Sequence, residues 1–179
     1  AVGCIIVKDR HVVGRGWTQP GGRPHAETEA VKRAGDATRG ATAYVTLEPC
    51  SHHGETPPCT VALVEAGVAR VVVAVDDPDP RVAGQGLNAL RAAGIEVEMG
   101  VCEDDARALN RGYLKRLSNG LPLVTLKTAI TTDGRIATES GESQWITGTE
   151  SRAEAHRLRA DHDAIAVASA TVIADDPEL

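Results

Sequence analysis

The pattern of apolar and polar positions predicts an alternation of short strands and helices. Two β-branched runs separated by the polar KDR triplet, in VGCIIVKDRHVVGRGW, are typical of a β-hairpin over residues 2–17. The Gly- and Pro-rich QPGGRP (19–24) predicts a loop. Further strands are predicted at 41–49, 70–75 and 96–101, and helices at 25–34, 56–67, 86–94 and 103–117.

Strand–helix alternation with nearly continuous apolar strands is typical of a largely parallel sheet with helices on both faces. The predicted helix at 56–67 has the clearest boundaries, because Thr56 can cap it, Pro57 and Pro58 suit its first turn, and Gly67 ends it. We therefore assign residues 1–117 to one α/β domain.

The pattern is interrupted at SNGLP (118–122), which we interpret as a linker, and then restarts. LVTLKTAI (123–130) and AIAVAS (164–169) predict strands, TTDGRIA contains an Asp-Gly turn, and 149–160 has the polar face of a helix. Residues 123–179 are too few for a complete nucleotide-binding α/β domain. Because the chain also starts at Ala1 without Met and stops at DDPEL, we expect a fragment, with an N-terminally truncated first domain and only the N-terminal part of a second.

Composition limits the classes of function. The chain is 42% hydrophobic and 25% charged, as is ordinary for a soluble globular protein, and its net charge of −6 argues against a nucleic-acid-binding surface. No apolar run approaches the length of a membrane span. Four cysteines do not suit a disulfide scaffold, so a reducing cytoplasm is expected. These features favour a small-molecule substrate without nucleic-acid or membrane partners, and they leave the oligomeric state open, a homo-oligomer included.

PHAE (24–27) and LEPCSHHGETPPC (47–59) carry the candidate chemistry. His25, Cys50 and Cys59 form the donor set of a catalytic zinc site, which usually has three protein ligands. Glu27 lies two residues from His25 and can serve as a base beside the metal. The pattern matches the H-x-E…P-C-x-x-C signature of zinc deaminases, except that eight residues separate the two cysteines. A structural zinc site, with His52 or His53 as fourth ligand, is the main alternative.

PHAE, LEPCSHHG and TPPC at these spacings resemble the deaminase domain of the bifunctional riboflavin-biosynthesis deaminase/reductase family. LKTAITTDGRIA, GESQWITG, LRADHDAI and ASATVIADDPEL resemble the opening third of that family's reductase domain. The resemblance implies a cytidine-deaminase-like three-layer α/β/α domain followed by an incomplete dihydrofolate-reductase-like α/β domain. The long cysteine spacing distinguishes this family from cytidine, guanine and tRNA-adenosine deaminases.

The resemblance also implies a reaction and its residues. The expected activity is hydrolytic deamination of 2,5-diamino-6-(5-phosphoribosylamino)pyrimidin-4(3H)-one to the 5-aminouracil, and NADPH-dependent reduction of the ribosyl group in the full-length protein. His25, Cys50 and Cys59 would bind Zn²⁺, and Glu27 would shuttle protons. NADPH positions would be Ala129, Trp145, Thr171 and Asp175. Substrate positions would be Ser143, Arg159 and Leu179, with His52 and Lys127 as candidates for the substrate phosphate.

Two positions depart from the family's pattern. Glu55 stands where a basic residue is usual, and Thr18 where a His is common; both positions are associated with the substrate phosphate. Two alternatives remain open at this stage: deamination of another base or nucleoside, and a non-catalytic zinc domain in which Glu27 is incidental.

Overall fold

The computed structural model of the protein describes residues 2–54 and 56–177, and its chain divides into two compact units, Ala1–Leu123 and Val124–Leu179. Helix α5, described below, continues through Ser118 and Asn119, the first two residues of the predicted linker. Within the described residues, no helix is both long enough and apolar enough to cross a membrane.

The first unit is built on one five-stranded sheet in the order β2-β1-β3-β4-β5. The strands are β1 (Gly3–Lys8), β2 (His11–Trp17), β3 (Thr42–Val45), β4 (Arg70–Val73) and β5 (Glu96–Met99). The predicted hairpin is confirmed: β1 and β2 are antiparallel, and Asp9 and Arg10 between them both have the positive φ of a type I′ turn.

The prediction of a largely parallel sheet holds only for half of it. Strands β3, β4 and β5 are parallel to one another, whereas β1 is antiparallel to both of its neighbours. The reason is connectivity, since a two-residue turn can join only antiparallel strands, while the β3–β4 and β4–β5 connections contain crossover helices.

The helices of this unit follow the predicted order with shifted boundaries. They are α1 (Ala26–Ala34), α2 (Cys59–Glu65), α3 (Gln85–Ala92), α4 (Glu103–Leu109) and α5 (Arg111–Asn119). Two details of the prediction were wrong. Thr56 does not cap α2, which starts three residues later; its hydroxyl instead accepts a hydrogen bond from Arg23 Nη1 at 2.5 Å. The helix predicted at 103–117 is interrupted at Asn110, whose buried side-chain amide donates to the Ala106 carbonyl at 3.0 Å.

Small aliphatic residues on both faces of the sheet form the core. On one face, Val71 and Val73 of β4 pack with Ala30 of α1, Leu63 of α2 and Leu90 of α3. Val72, between those two valines, points to the opposite face and is buried as well. Just past the carboxyl ends of β3 and β4, a second cluster contains Leu47, Ala74, Val75 and Ala106 of α4. The unit is therefore the expected three-layer α/β/α domain.

Two glycines bring helix α1 unusually close to β2. A Cβ at Gly14 would lie 2.4 Å from the Ala30 carbonyl oxygen, and one at Gly16 would lie 2.1 Å from the Ala26 carbonyl oxygen. Only glycine allows this contact, which fixes the start of α1 against the sheet. His25 and Glu27 are carried at that helix start.

The second unit contains α6 (Thr149–Ala160), as predicted, and α7 (Ser169–Asp175), which the sequence did not predict. The predicted Asp-Gly turn is present. The Thr131 backbone N–H donates to the Arg135 carbonyl, and Gly134 has a positive φ of 79°. The strands predicted at 123–130 and 164–169 are not formed among the described residues. A strand needs a hydrogen-bonded partner, and Val124 and Leu126 remain 79% and 86% exposed.

Candidate active site

Three elements of the first unit place the candidate zinc ligands. His25 is the N-cap residue of α1 and Cys59 is the first residue of α2, so both side chains leave the chain at helix starts. Cys50 lies past the carboxyl end of β3, at the sheet edge where parallel α/β structures carry their sites. Glu27, in the first turn of α1, faces the same region.

The donor atoms of these residues converge. His25 Nδ1 lies 3.2 Å from Cys59 Sγ and 3.6 Å from Cys50 Sγ, and all three donor atoms lie within 4.8 Å of one another. The Cys59 backbone N–H also points at Cys50 Sγ, at 3.4 Å. Within the described residues, this metal-binding group comprises three donors, and neither His52 nor His53 belongs to it.

Hydrogen bonds and burial shift the pKa values of the three ligands in different directions. Hydrogen bonds from Cys59 and then from His25 lower the pKa of Cys50 to about 4, so its thiolate form is favoured. The pKa of Cys59 is raised, first by its hydrogen bond to Cys50 and then by burial. The pKa of His25 is raised by its hydrogen bond to Cys50. A thiolate already stabilised beside an imidazole is the form that a metal ion requires.

Glu27 is the buried carboxyl group of the site, with 3% of the residue exposed. Burial raises the pKa of Glu27 from 4.5 to about 7, because the charged form loses hydration. A carboxyl group with a pKa near neutrality can both accept and donate a proton at physiological pH.

A cavity of about 240 Å³ opens beside these residues. Its lining residues are Val2, Thr18, His25, Glu27, Leu47, Glu48, Cys50, Asp77, Asn110 and Tyr113. The volume lies just below the roughly 300–1,000 Å³ that is usual for small-molecule sites. Thr18, one of the two departures from the family's pattern, is thus on the wall, where its hydroxyl accepts a hydrogen bond from the Val2 N–H at 3.2 Å.

Sequence reasoning missed the acidic wall of this cavity. Asp77 follows β4, and its carboxylate oxygens are each 3.0 Å from the Tyr113 hydroxyl, which donates to them. The Asp79 N–H donates to Asp77 Oδ1 at 2.9 Å. Burial raises the pKa of Asp77. The signal was available, since DDPDP (76–80) directly follows a parallel strand, as LEPC does.

The residues predicted to contact the substrate phosphate lie in different surroundings. His52 is half-buried in the segment between the two cysteines, and its buried Nδ1 has no hydrogen-bond partner among the described residues. Lys127 is exposed in the second unit. Glu55 lies outside the described residues.

The predicted reductase residues all belong to the second unit. Ser143 is exposed and Ala129 is half-buried, while Thr171 and Asp175 are exposed on α7. Trp145 is 69% exposed, with the Arg152 guanidinium stacked 4.4 Å from its ring centre. Arg159 on α6 donates from Nη1 to His156 Nδ1 at 3.2 Å. Leu179 lies outside the described residues.

Comparison with known proteins agrees with the class of site. Residues 1–75 match the family described as cytidine and deoxycytidylate deaminase zinc-binding region. Residues 122–179 match the RibD C-terminal domain. Residues 1–75 of the first unit therefore resemble the zinc-binding region of these deaminases.

The individual relatives are riboflavin biosynthesis proteins. The chain is 56% identical to RibD of Escherichia coli K12 over 99% of its length and 51% identical to RibD of Aquifex aeolicus over 99%, covering 48% and 50% of those proteins. Among solved structures, it resembles Acinetobacter baumannii RibD at 55% identity and TM-score 0.89 (98% of this chain, 49% of that one). It also resembles a Thermotoga maritima diaminohydroxyphosphoribosylaminopyrimidine deaminase/5-amino-6-(5-phosphoribosylamino)uracil reductase, with 41% sequence identity and a TM-score of 0.92. That match covers 98% of this chain and 51% of the other.

The chain thus spans about half the length of the relatives it matches. That half corresponds to the deaminase domain and the start of the reductase domain of RibD.

Proposed function

We propose that the chain is a zinc-dependent pyrimidine deaminase of riboflavin biosynthesis. The observation that carries the proposal is the convergence of His25 Nδ1 and the two cysteine sulfurs, with His25, Cys50 and the buried Glu27 lining a single cavity. This arrangement combines a metal site with a proton-transferring group, which is what hydrolytic deamination requires.

The donor set fits zinc. One imidazole nitrogen and two sulfurs, one of them favoured as a thiolate, are ligands that Zn²⁺ prefers, and three protein donors leave a coordination position open. His25, Cys50 and Cys59 would hold the ion. When bound, zinc supplies a Lewis acid that makes water a nucleophile near neutral pH.

Glu27 is the proposed proton shuttle. It would take a proton from the attacking water and deliver it to the ring nitrogen. It would then take the remaining proton of the new hydroxyl group on the attacked carbon and give it to the leaving amine, so that ammonia departs and the carbonyl forms. Its pKa of about 7 suits both directions of transfer. Its burial removes competing bulk water from the transfer.

The proposed substrate is the diaminopyrimidine that carries a phosphoribosylamino group. The RibD relatives and the eight-residue spacing between Cys50 and Cys59 support this choice over other bases. The Asp77 carboxylate, held by Tyr113, offers acceptors on the cavity wall to N–H groups of an aminopyrimidine. His52, in the segment between the two cysteines, and Lys127 remain the proposed contacts of the substrate phosphate.

For the longer protein, we propose that NADPH-dependent reduction of the ribosyl group follows deamination. The match of residues 122–179 to the RibD C-terminal domain supports this step. Ala129, Trp145, Thr171 and Asp175 are the proposed cofactor positions, and Ser143, Arg159 and Leu179 the proposed substrate positions. The described cysteines are all free thiols, which supports a reducing cytoplasm. The oligomeric state stays open, a homo-oligomer included.

Ammonia release tests the proposal. The zinc-loaded chain should release ammonia from the diaminopyrimidine phosphoribosyl compound, and much more slowly, if at all, from cytidine and guanine. Equal or faster release from cytidine would replace the proposed substrate by a nucleoside. No release from any of the three, with one zinc bound per chain, would favour a non-catalytic zinc domain.

A further inference from the structure

Glu48 directly precedes the Pro49–Cys50 segment and has no assigned role in the chemistry above. Only 4% of the residue is exposed. Its backbone N–H donates to the Val75 carbonyl at 2.9 Å, which ties the segment after β3 to the segment after β4. A buried carboxyl group is costly unless its oxygens are hydrogen-bonded.

The Glu48 side chain accepts four backbone hydrogen bonds from one stretch of chain, Asp77–Leu87. Oε2 accepts from the N–H groups of Asp77 at 3.3 Å and Gly84 at 3.0 Å. Oε1 accepts from those of Gly86 at 2.9 Å and Leu87 at 3.3 Å. Three of these donors belong to the start of α3, whose N-cap residue is Gly84, so Glu48 caps this helix from a distant segment.

The helix start also lies directly against the metal-ligand segment. A Cβ at Gly86 would be 2.1 Å from the Pro49 carbonyl oxygen and 3.1 Å from Glu48 Oε1. The chain carrying Cys50 and the loop carrying Asp77 are therefore assembled around one carboxyl group. Asp77 and Cys50 line the same cavity.

We propose that Glu48 is a positioning residue for the deamination reaction. By holding the Asp77 N–H and the start of α3, it fixes the Asp77 carboxylate on the cavity wall relative to the zinc ligands. Glu48 thus binds the backbone of Asp77, while the Tyr113 hydroxyl donates to the Asp77 carboxylate itself. The proposal rests on the proposed function for its kinetic consequence, but the placement of the 77–87 segment can be measured without activity.

Glu48→Gln is the main test, because it keeps the volume and replaces one acceptor oxygen by an N–H₂ group that faces backbone donors. Glu65→Gln, on the exposed surface of α2, is the matched control. In the zinc-loaded chain, amide exchange at Asp77, Gly84, Gly86 and Leu87 should speed up about tenfold or more in Glu48→Gln, the effect of losing roughly one hydrogen bond to a charged group. Exchange in β1 and β2 should stay unchanged.

Enzyme kinetics distinguish a positioning role of Glu48 from a mere loss of folded protein. Glu48→Gln should raise KM about tenfold with zinc content unchanged, and its effect on kcat/KM should not add to that of Asp77→Asn, since both act through one carboxylate. Additive effects, or an unchanged KM with only a smaller folded fraction, would overturn the proposal. If Glu48→Gln does not fold, Glu48→Asp, which retains the charge but retracts the oxygens, should give the same pattern in milder form.

The two proposals fail in different ways. A wild-type chain that binds zinc but releases no ammonia would refute the proposed function, and the exchange experiment would still decide whether Glu48 holds the 77–87 segment. Unchanged exchange in a folded Glu48→Gln chain would refute the positioning role even if wild-type activity is high.

Discussion

Replacing Glu27 by Gln should raise the stability of the metal-free chain while abolishing most of its activity in the zinc-loaded form. Burial raises the pKa of this carboxyl group from 4.5 to about 7 in the folded chain. The folded state therefore binds its proton more tightly than the unfolded state does. The stability associated with the protonated group is fully present below pH 4.5 and is lost as the pH rises to about 7.

The magnitude follows from that difference. Each tenfold change in an acid dissociation constant is worth about 1.4 kcal/mol, so ionised Glu27 destabilises the folded chain by about 3 kcal/mol above pH 7. Gln remains neutral and avoids this cost, but its amide is still desolvated, so we expect a gain of about 2 kcal/mol at pH 8. At pH 4 the gain should disappear and reverse to a loss of about 1 kcal/mol, since Glu27 is then neutral too and only the cost of the buried amide remains.

Urea unfolding of the metal-free wild-type and Glu27→Gln chains at the two pH values measures this effect. The control is Glu29→Gln on the same helix, where the loss of the Arg33 ion pair should cost about 0.5 kcal/mol or less. With zinc bound, the nearby cation favours the carboxylate and the gain should shrink. Ammonia release should fall about 10²- to 10⁴-fold, as expected for a lost general acid–base group. A variant that loses stability at pH 8, or retains more than a tenth of the activity with zinc bound, would refute the reasoning.

Three further predictions concern the ligands, the helix start and the acidic wall. Cys50→Ser and Cys59→Ser should lose nearly all bound zinc by metal analysis, whereas Cys102→Ser, at an exposed site, should keep it. Gly16→Ala should lower the free energy of unfolding by about 2 kcal/mol or more, because the new Cβ meets the Ala26 carbonyl, and zinc affinity should fall with it. The control Gly112→Ala has 3.8 Å of clearance and should be neutral or stabilising in urea unfolding. Tyr113→Phe should cost about 1 kcal/mol and lower kcat/KM with zinc retained; an unchanged kcat/KM would exclude the Asp77 wall from substrate binding.

Local signals predicted the parts of the fold that local contacts determine. The KDR turn specifies the β1–β2 hairpin, and the polar face at 149–160 specifies α6. The same reasoning failed for LVTLKTAI and AIAVAS. An apolar β-branched segment forms a strand only when a partner supplies hydrogen bonds, and these segments find none among the described residues.

Only some residues of the candidate site could likewise be predicted from the sequence. His25, Cys50 and Cys59 could be proposed from spacing, because their residue types point to a metal and their positions precede helices or follow a strand. Asp77, Tyr113 and Glu48 could not be connected by spacing. The partners of the Glu48 side chain lie 29 to 39 residues further along the chain, and only the folded sheet brings them together.

The most direct test of the central claim is ammonia release by the zinc-loaded chain from the diaminopyrimidine phosphoribosyl compound, measured beside the Glu27→Gln variant with equal zinc content. The geometry of His25, Cys50, Cys59 and Glu27 predicts steady release by the wild-type chain and a loss of at least about 10²-fold in the variant. Equal rates in the two chains, or no release by either with zinc bound, would contradict it.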